Sequence, residues 1–397
     1  MAAGTASSVA ATSTFPGAER ALLAALTCFV RARRGLDAGP AEAEVARSFA
    51  SPDFDAERFY AFAQRHRVVA AIHDVLRAHA SSPHLEPVRR RARDDARRQL
   101  LFAEGSFQQL KTLSASLSRE GVPHAAYKGP AFALQAYGEV GARAFGDLDV
   151  LVPRRDLERV VTWAKRAGYT LPEWDDDAQR AWCLAHMHHL SAHRRSPFGD
   201  AHLELHWMTL PPMMRPGTPT VDAWLEGPLD DADGVPVLPW PRAYASTVEH
   251  HAKHGWSRLL YVVDCAVREV DHAALEPVLG DRLGRAVLGD ARALTDALLA
   301  GALLEAAPPL LLATWRADDP YQFEVGEAYL DLLDPAGAWS RRLVRFRSLG
   351  AVASRKEAAY AFARQVFLEA SVATGRVFGP RPNDDAPLLK ALRERFR

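Results

Sequence analysis

Apolar positions along the first third of the chain recur at helical spacing. Leu22, Leu23, Leu26, Phe29 and Val30 form one stripe. Phe59, Phe62 and Ala63 form a second, within a segment from Asp53 to His66 that opens on acidic residues. Glu86 to Glu120 predicts one long helix, with Phe107, Leu110, Leu113 and Leu117 turned inward and Gly121 as its stop. At Val122 the period changes. Val122 to Tyr127 reads as a strand, Pro130 to Tyr137 as a short helix with Pro in its first turn, and Gly138 to Gly146 as a loop. Asp147 to Val152 alternates with period two, and from Pro153 an amphipathic helix runs through Leu157, Val160, Val161 and Ala164 to Gly168. Two more strands are predicted around His186 to Arg194 and Ala201 to Trp207, separated by a turn over Ser196 to Asp200.

The stretch from Pro211 to Pro241, rich in Pro, Gly and Asp, reads as a linker or covering loop. Helical patterns resume beyond it, best defined over Tyr244 to Val270 and weaker over 281–305, 319–334 and 356–375. The expected organisation is a disordered lead over 1–16, a helical region over 17–120, a small mixed sheet with its helices over 121–240, and a helical domain over 241–397. That is an α+β fold.

Composition narrows the function classes. Lysine plus arginine equals aspartate plus glutamate, 49 against 49, so no global charge draws the chain to a long nucleic acid or a membrane surface. The basic run Arg89, Arg90, Arg91, Arg93, Arg97 and Arg98 is interrupted by Asp94 and Asp95 and reads as a solvated helix face. Three scattered cysteines, Cys28, Cys183 and Cys265, provide neither a disulfide framework nor thiolate metal spacing. With no signal-like start and no long apolar run, a cytoplasmic location is expected.

Asp147 and Asp149 carry the chemistry. One residue apart on a strand, they share a face, and two oxygen donors on one face suit Mg²⁺ or Mn²⁺ held against substrate phosphates. Their run is otherwise Leu148, Val150, Leu151 and Val152, where an uncompensated carboxylate would be costly. Glu204 alternates with Leu203 and Leu205 and is the candidate third carboxylate from a neighbouring strand. Lys128-Gly129 follows a strand and opens a helix, so a cation and free backbone N–H groups meet where a triphosphate can lie. Arg143 is expected either to clamp a phosphate or to pair with one of the two aspartates. Phosphoryl or nucleotidyl transfer follows from this set.

Lys128-Gly129, Tyr137, Arg143, Gly146 to Val152, Gly168-Tyr169 and Glu204-Leu205-His206-Trp207 resemble the uncharacterised bacterial nucleotidyltransferase family of the DNA polymerase β-like superfamily. Glu249 to Trp256, with Leu259 and Asp264, is similar to that family's helical C-terminal signature. The resemblance implies a polymerase β-like palm binding NTP and Mg²⁺, with Asp147, Asp149 and Glu204 as metal ligands. The superfamily's usual Gly-Ser or Gly-Gly phosphate turn is here Lys128-Gly129-Pro130, which offers no serine.

The histidines allow other readings. His186, His188, His189, His193, His202 and His206 crowd the strand region, where three of them would suffice for a zinc hydrolase or would orient the carboxylates. His206 and His254 are candidate nucleotide contacts, and His250 and Lys253 share the second helix with His254. The leading expectation is transfer of NMP from an NTP, ATP first among them, to a small-molecule, peptide or protein acceptor. The alternatives are a non-catalytic nucleotide-binding scaffold and the zinc hydrolase.

Overall fold

The computed structural model describes residues 17–315, apart from 52–53, 80–82, 172–173, 176, 197–198, 211–219, 281, 308–310 and 313–314. The expected lead over 1–16 and the helices expected over 319–334 and 356–375 lie outside the described residues.

The N-terminal stripes form helices α1 (Gly17–Arg33), α2 (Gly39–Ala50), α3 (Ala56–Arg65) and α4 (Val69–Ala78). Leu22, Leu26, Phe59 and Phe62 are buried among them, and the Asp55 carboxylate caps α3 by accepting from the Arg58 N–H. Helix α5 (Glu86–Arg119) is a single rod about 51 Å long that ends at Gly121, whose φ of 66° closes the helix. Its basic face is laced into ion pairs, Arg89 with Glu86, Arg91 with Glu57 and Arg98 with Asp95.

Then follow β1 (Ala125–Ala126), α6 (Gly129–Tyr137), β2 (Leu148–Leu151), α7 (Leu157–Arg166), α8 (Asp177–His186), β3 (His189–Ser196) and β4 (Gly199–His206). After them come α9 (Val221–Leu225), β5 (Asp230–Ala232), β6 (Val235–Val237), α10 (Trp240–Lys253), α11 (Leu259–Ala266), α12 (Glu276–Leu279), α13 (Arg282–Ala300) and α14 (Leu303–Ala306). The six strands form one mixed sheet in the order β3-β4-β2-β1-β6-β5. β2 is parallel to β4 and β1 to β6, while the remaining neighbours are antiparallel. All four residues of β2 are buried, as expected for a strand covered on both faces.

Two expectations change here, and one helix is new. The segment read as a linker contains the β5–β6 hairpin, whose Asp233-Gly234 turn has φ of 55° and 84°, the signature of a tight two-residue turn. The helix expected over Tyr244 to Val270 is two helices, broken at His254 to Arg258, where Trp256 takes a φ of 54°. Helix α8 carries no apolar stripe strong enough to have been read.

Two hydrophobic cores result. One joins α1–α4 with α10, α11 and α13, and the other lies under the sheet and α7. Helix α5 serves both, with Val88 and Ala92 in the first and Phe107, Leu110, Leu113 and Leu117 in the second. His66 ties the ends of the first core together. Its Nδ1 accepts the Leu259 N–H at 3.1 Å, which fixes the proton on Nε2, and that proton is donated to the Trp315 carbonyl at 2.9 Å.

Candidate active site

The register of β2 on β4 sets Asp149 directly against Glu204. Asp147 precedes β2 by one residue and is half-buried. On β4, alternation places His202, Glu204 and His206 on one face, and β3 brings His189 opposite His206 and His193 opposite His202. Glu204 therefore sits among imidazoles. His206 Nε2 lies 3.0 Å from its Oε2, while His189 and His202 Nε2 lie 3.6 and 4.0 Å from its Oε1.

Asp149 has its own partners. Lys128 Nζ donates to its Oδ1 at 2.9 Å, and His206 Nε2 reaches the same oxygen at 2.9 Å. Because both acceptors of His206 Nε2 are carboxylates, that nitrogen carries the proton. Burial works against the Asp149 carboxylate, but Lys128 and His206 outweigh it and hold its pKa below the usual range. Glu204 is likewise held low against burial, by His189, His206 and Lys128. Asp147 goes the other way: burial, reinforced by the charges of Asp149 and Glu204, raises it to about 6. Burial pushes His189 down to about 3, against the opposing pull of the Glu204 charge.

Gly129 opens α6 with a φ of 55°, and a Cβ there would meet the Asp147 carbonyl oxygen at 2.8 Å. The Lys-Gly turn and the aspartate strand are thus packed backbone to backbone, which only glycine permits. These groups line a cavity of about 390 Å³, within the size range of small-molecule sites. Its facing wall comes from the helical regions: Arg67 between α3 and α4, Lys253 and His254 at the end of α10, Arg258 and Tyr261 at the start of α11.

Most of the expected residues converge on this cavity: Lys128, Gly129, Arg143, Asp147, Asp149, Glu204 and His254 all line it. Two expectations need correction. Arg143 pairs with neither Asp147 nor Asp149; its Nε donates to both oxygens of Asp264 at 2.9 Å. Asp264 also accepts the Tyr137 hydroxyl at 2.6 Å and lies 3.0 Å from His251 Nε2, forming a buried polar knot under the cavity. His206, expected to contact nucleotide, is only 1% exposed and lies beneath the acid set, where it spaces the carboxylates. Sequence reasoning missed Arg67, Arg258 and Tyr261. Arg67 sits in a tight turn with φ of 57°, and no local pattern distinguishes it from a surface arginine.

The donor set fits a divalent cation. Asp147, His202 and Glu204 each offer one ligand atom, all within 4.8 Å of one another, and Asp149, Glu204 and His206 form a second such group. In the second group the Asp149 oxygen is already engaged by Lys128 and His206. His188, His189 and His206 form a third such group, in which His206 Nε2 is engaged by the carboxylates while its Nδ1 is buried without a hydrogen-bond partner among the described residues.

Carboxylates from adjacent parallel strands, a Lys-Gly turn against them and a basic wall opposite define a nucleotidyltransferase of mixed α+β fold. Residues 52–271 match the model of a family described as uncharacterised nucleotidyltransferases; the match spans more than half of the chain, and the chain belongs to that family. It is a transferase of phosphorus-containing groups. No curated protein and no solved structure matches the chain.

Proposed function

We propose that the protein transfers NMP from an NTP, with ATP the first candidate, to a hydroxyl on a small molecule, peptide or protein, using Mg²⁺ or Mn²⁺. The observation that carries this reading is the pairing of Asp149 with Glu204 across β2 and β4, with Asp147 beside them on one cavity wall. A divalent cation held by Asp147 and Glu204, with Asp149 alongside, would supply the charge that a polyphosphate leaving group needs.

The chain's own residues then divide the work. Lys128, paired with Asp149, exchanges that partner for substrate phosphate and leaves Asp149 to the reacting centre. Gly129 lets the phosphates approach the backbone, and Arg143, oriented by Asp264, contributes from the cavity floor. The acceptor hydroxyl gives its proton to Glu204 and forms a bond to the α-phosphorus. The bond from that phosphorus to the bridging oxygen breaks, and pyrophosphate leaves. His254 on the basic wall is assigned to the nucleotide or its acceptor.

The domain boundaries at 120 and 240, and a cytoplasmic location, belong to the same reading. Cys28, Cys183 and Cys265 are free and buried, which suits a reducing compartment, and no described helix is long and apolar enough to cross a membrane.

The test uses each of the four NTPs labelled on the α-phosphate, with Mg²⁺ or Mn²⁺, scored for self-labelling, pyrophosphate release and transfer into a cell extract. Transfer that disappears in Asp147→Asn is expected. Tight NTP binding by calorimetry without pyrophosphate release against any acceptor would instead establish a nucleotide-binding scaffold.

A further inference from the structure

The nitrogen atoms around Glu204 differ in what they are already doing. His206 Nε2 donates to two carboxylates, and His189, whose Nε2 lies 3.6 Å from Glu204 Oε1 and whose Nδ1 lies 3.2 Å from His188 Nε2, is not in the group that Asp147 and Glu204 form with His202. His202 Nε2 is buried and has no hydrogen-bond partner among the described residues. Its separation from Glu204 Oε1, 4.0 Å, is too long for a hydrogen bond. It is nevertheless within the span one ion can bridge, since donors at about 2.1 Å from a cation stand at most about 4.2 Å apart.

The ring is also held in place. His193, opposite His202 on β3, stacks on it with centroids 4.5 Å apart and planes inclined by 9°. Asp147 completes the group, all three ligand atoms lying within 4.8 Å. His202 lines the cavity beside Asp147 and Glu204, so its free nitrogen faces the same space as the carboxylates.

We propose that this position selects a borderline transition cation, of which Mn²⁺ is the simplest, over Mg²⁺, and that His202 is the nitrogen ligand responsible. Mg²⁺ prefers an all-oxygen octahedron and gives up its waters reluctantly, whereas an imidazole beside two carboxylates suits the first-row transition ions. The inference rests on reading Asp147 and Glu204 as cation ligands, and it adds which cation they hold.

The probe is Mn²⁺ itself, added to chelator-stripped full-length protein without nucleotide. Pulsed EPR of the one-to-one complex is expected to show nitrogen modulation from a directly bound imidazole. His202→Asn should remove that modulation and weaken Mn²⁺ binding about tenfold, with Mg²⁺ affinity, measured by competition, nearly unchanged. His202→Gln, which keeps a polar side chain of similar reach, provides a second variant if the first does not fold. A wild-type spectrum without nitrogen modulation overturns the proposal, as does modulation that survives in the His202 variants or is lost only in His206→Asn. Nucleotidyl transfer supported equally by Mg²⁺ with no nitrogen at Mn²⁺ would sink this inference alone, leaving the proposed transfer intact. Failure of the wild-type protein to bind any added divalent cation would remove the cation reading beneath it as well.

Discussion

Lys128 and Asp149 form a buried ion pair, 2.9 Å between Nζ and Oδ1, at the centre of a cavity that must also admit phosphate. Both side chains are almost fully covered, so neither charge can be removed alone without stranding the other. Asp149→Asn and Lys128→Met, each alone, are expected to destabilise the fold by about 3–5 kcal/mol, because each leaves the other charge uncompensated. Lys128→Met combined with Asp149→Asn should recover much of that loss. Urea unfolding of the two singles and the double gives the coupling energy, and simple additivity would show that the pair is not the stabilising unit.

A second prediction separates backbone strain from crowding. Gly129 and Gly138 both take positive φ, 55° and 79°, but a Cβ at Gly138 meets open space while one at Gly129 meets the Asp147 carbonyl at 2.8 Å. Gly138→Ala should cost roughly 1–2 kcal/mol, the left-handed penalty alone. Gly129→Ala should cost more and also displace Asp147, lowering cation affinity. Equal stability losses with unchanged cation affinity would refute the backbone contact as a determinant of the site.

The knot around Asp264 supports the cavity from below. Asp264→Asn leaves the 7%-exposed Arg143 guanidinium without its counter-charge and is expected to cost about 3–5 kcal/mol. Arg143→Met in the same chain should restore part of the melting temperature. A variant as stable as the wild type would show that the Arg143 guanidinium does not depend on the Asp264 charge.

His66 predicts a pH dependence. Burial pushes its pKa from 6.5 to about 3, because protonating the ring would place a charge in the core and spoil the bond its Nδ1 accepts from Leu259. The unfolded chain binds this proton more readily than the folded one, so the stability His66 contributes is complete above pH 6.5 and declines as the pH falls toward 3. The slope approaches about 1.4 kcal/mol per pH unit within that window. Urea midpoints at pH 7 and 4.5 should therefore differ more in the wild type than in His66→Gln. Identical differences would assign the acid sensitivity to other buried histidines, of which His188, His189 and His250 are also shifted down.

Periodicity made the long helix α5, the amphipathic α7 and the paired β3 and β4 readable before any coordinates, because each buries a stripe that its own sequence displays. Asp147, Asp149 and Glu204 were readable for the opposite reason: carboxylates interrupting apolar strands need an explanation. The partner of Arg143 was not. Asp264 lies 121 residues away, and nothing local to Arg143 says which of several aspartates the fold will bring to it. The far wall was hidden for the same reason, since Arg67 and Arg258 meet the acid set only after two helical regions dock. The β5–β6 hairpin was legible in Asp233-Gly234, but the surrounding Pro and Asp residues masked a pair of three-residue strands.

The bond from His66 to the Trp315 carbonyl spans 249 positions of the chain. Closing a loop of that length costs about 5 kcal/mol of chain entropy, so this contact forms only when both helical regions are already in place. Translation proceeds from the N-terminus, and the α3–α4 turn carrying Arg67 emerges long before the segment that fixes it. The basic wall is thus among the last surfaces to be completed, and a nascent chain that has already made all three carboxylates still lacks the wall that faces them.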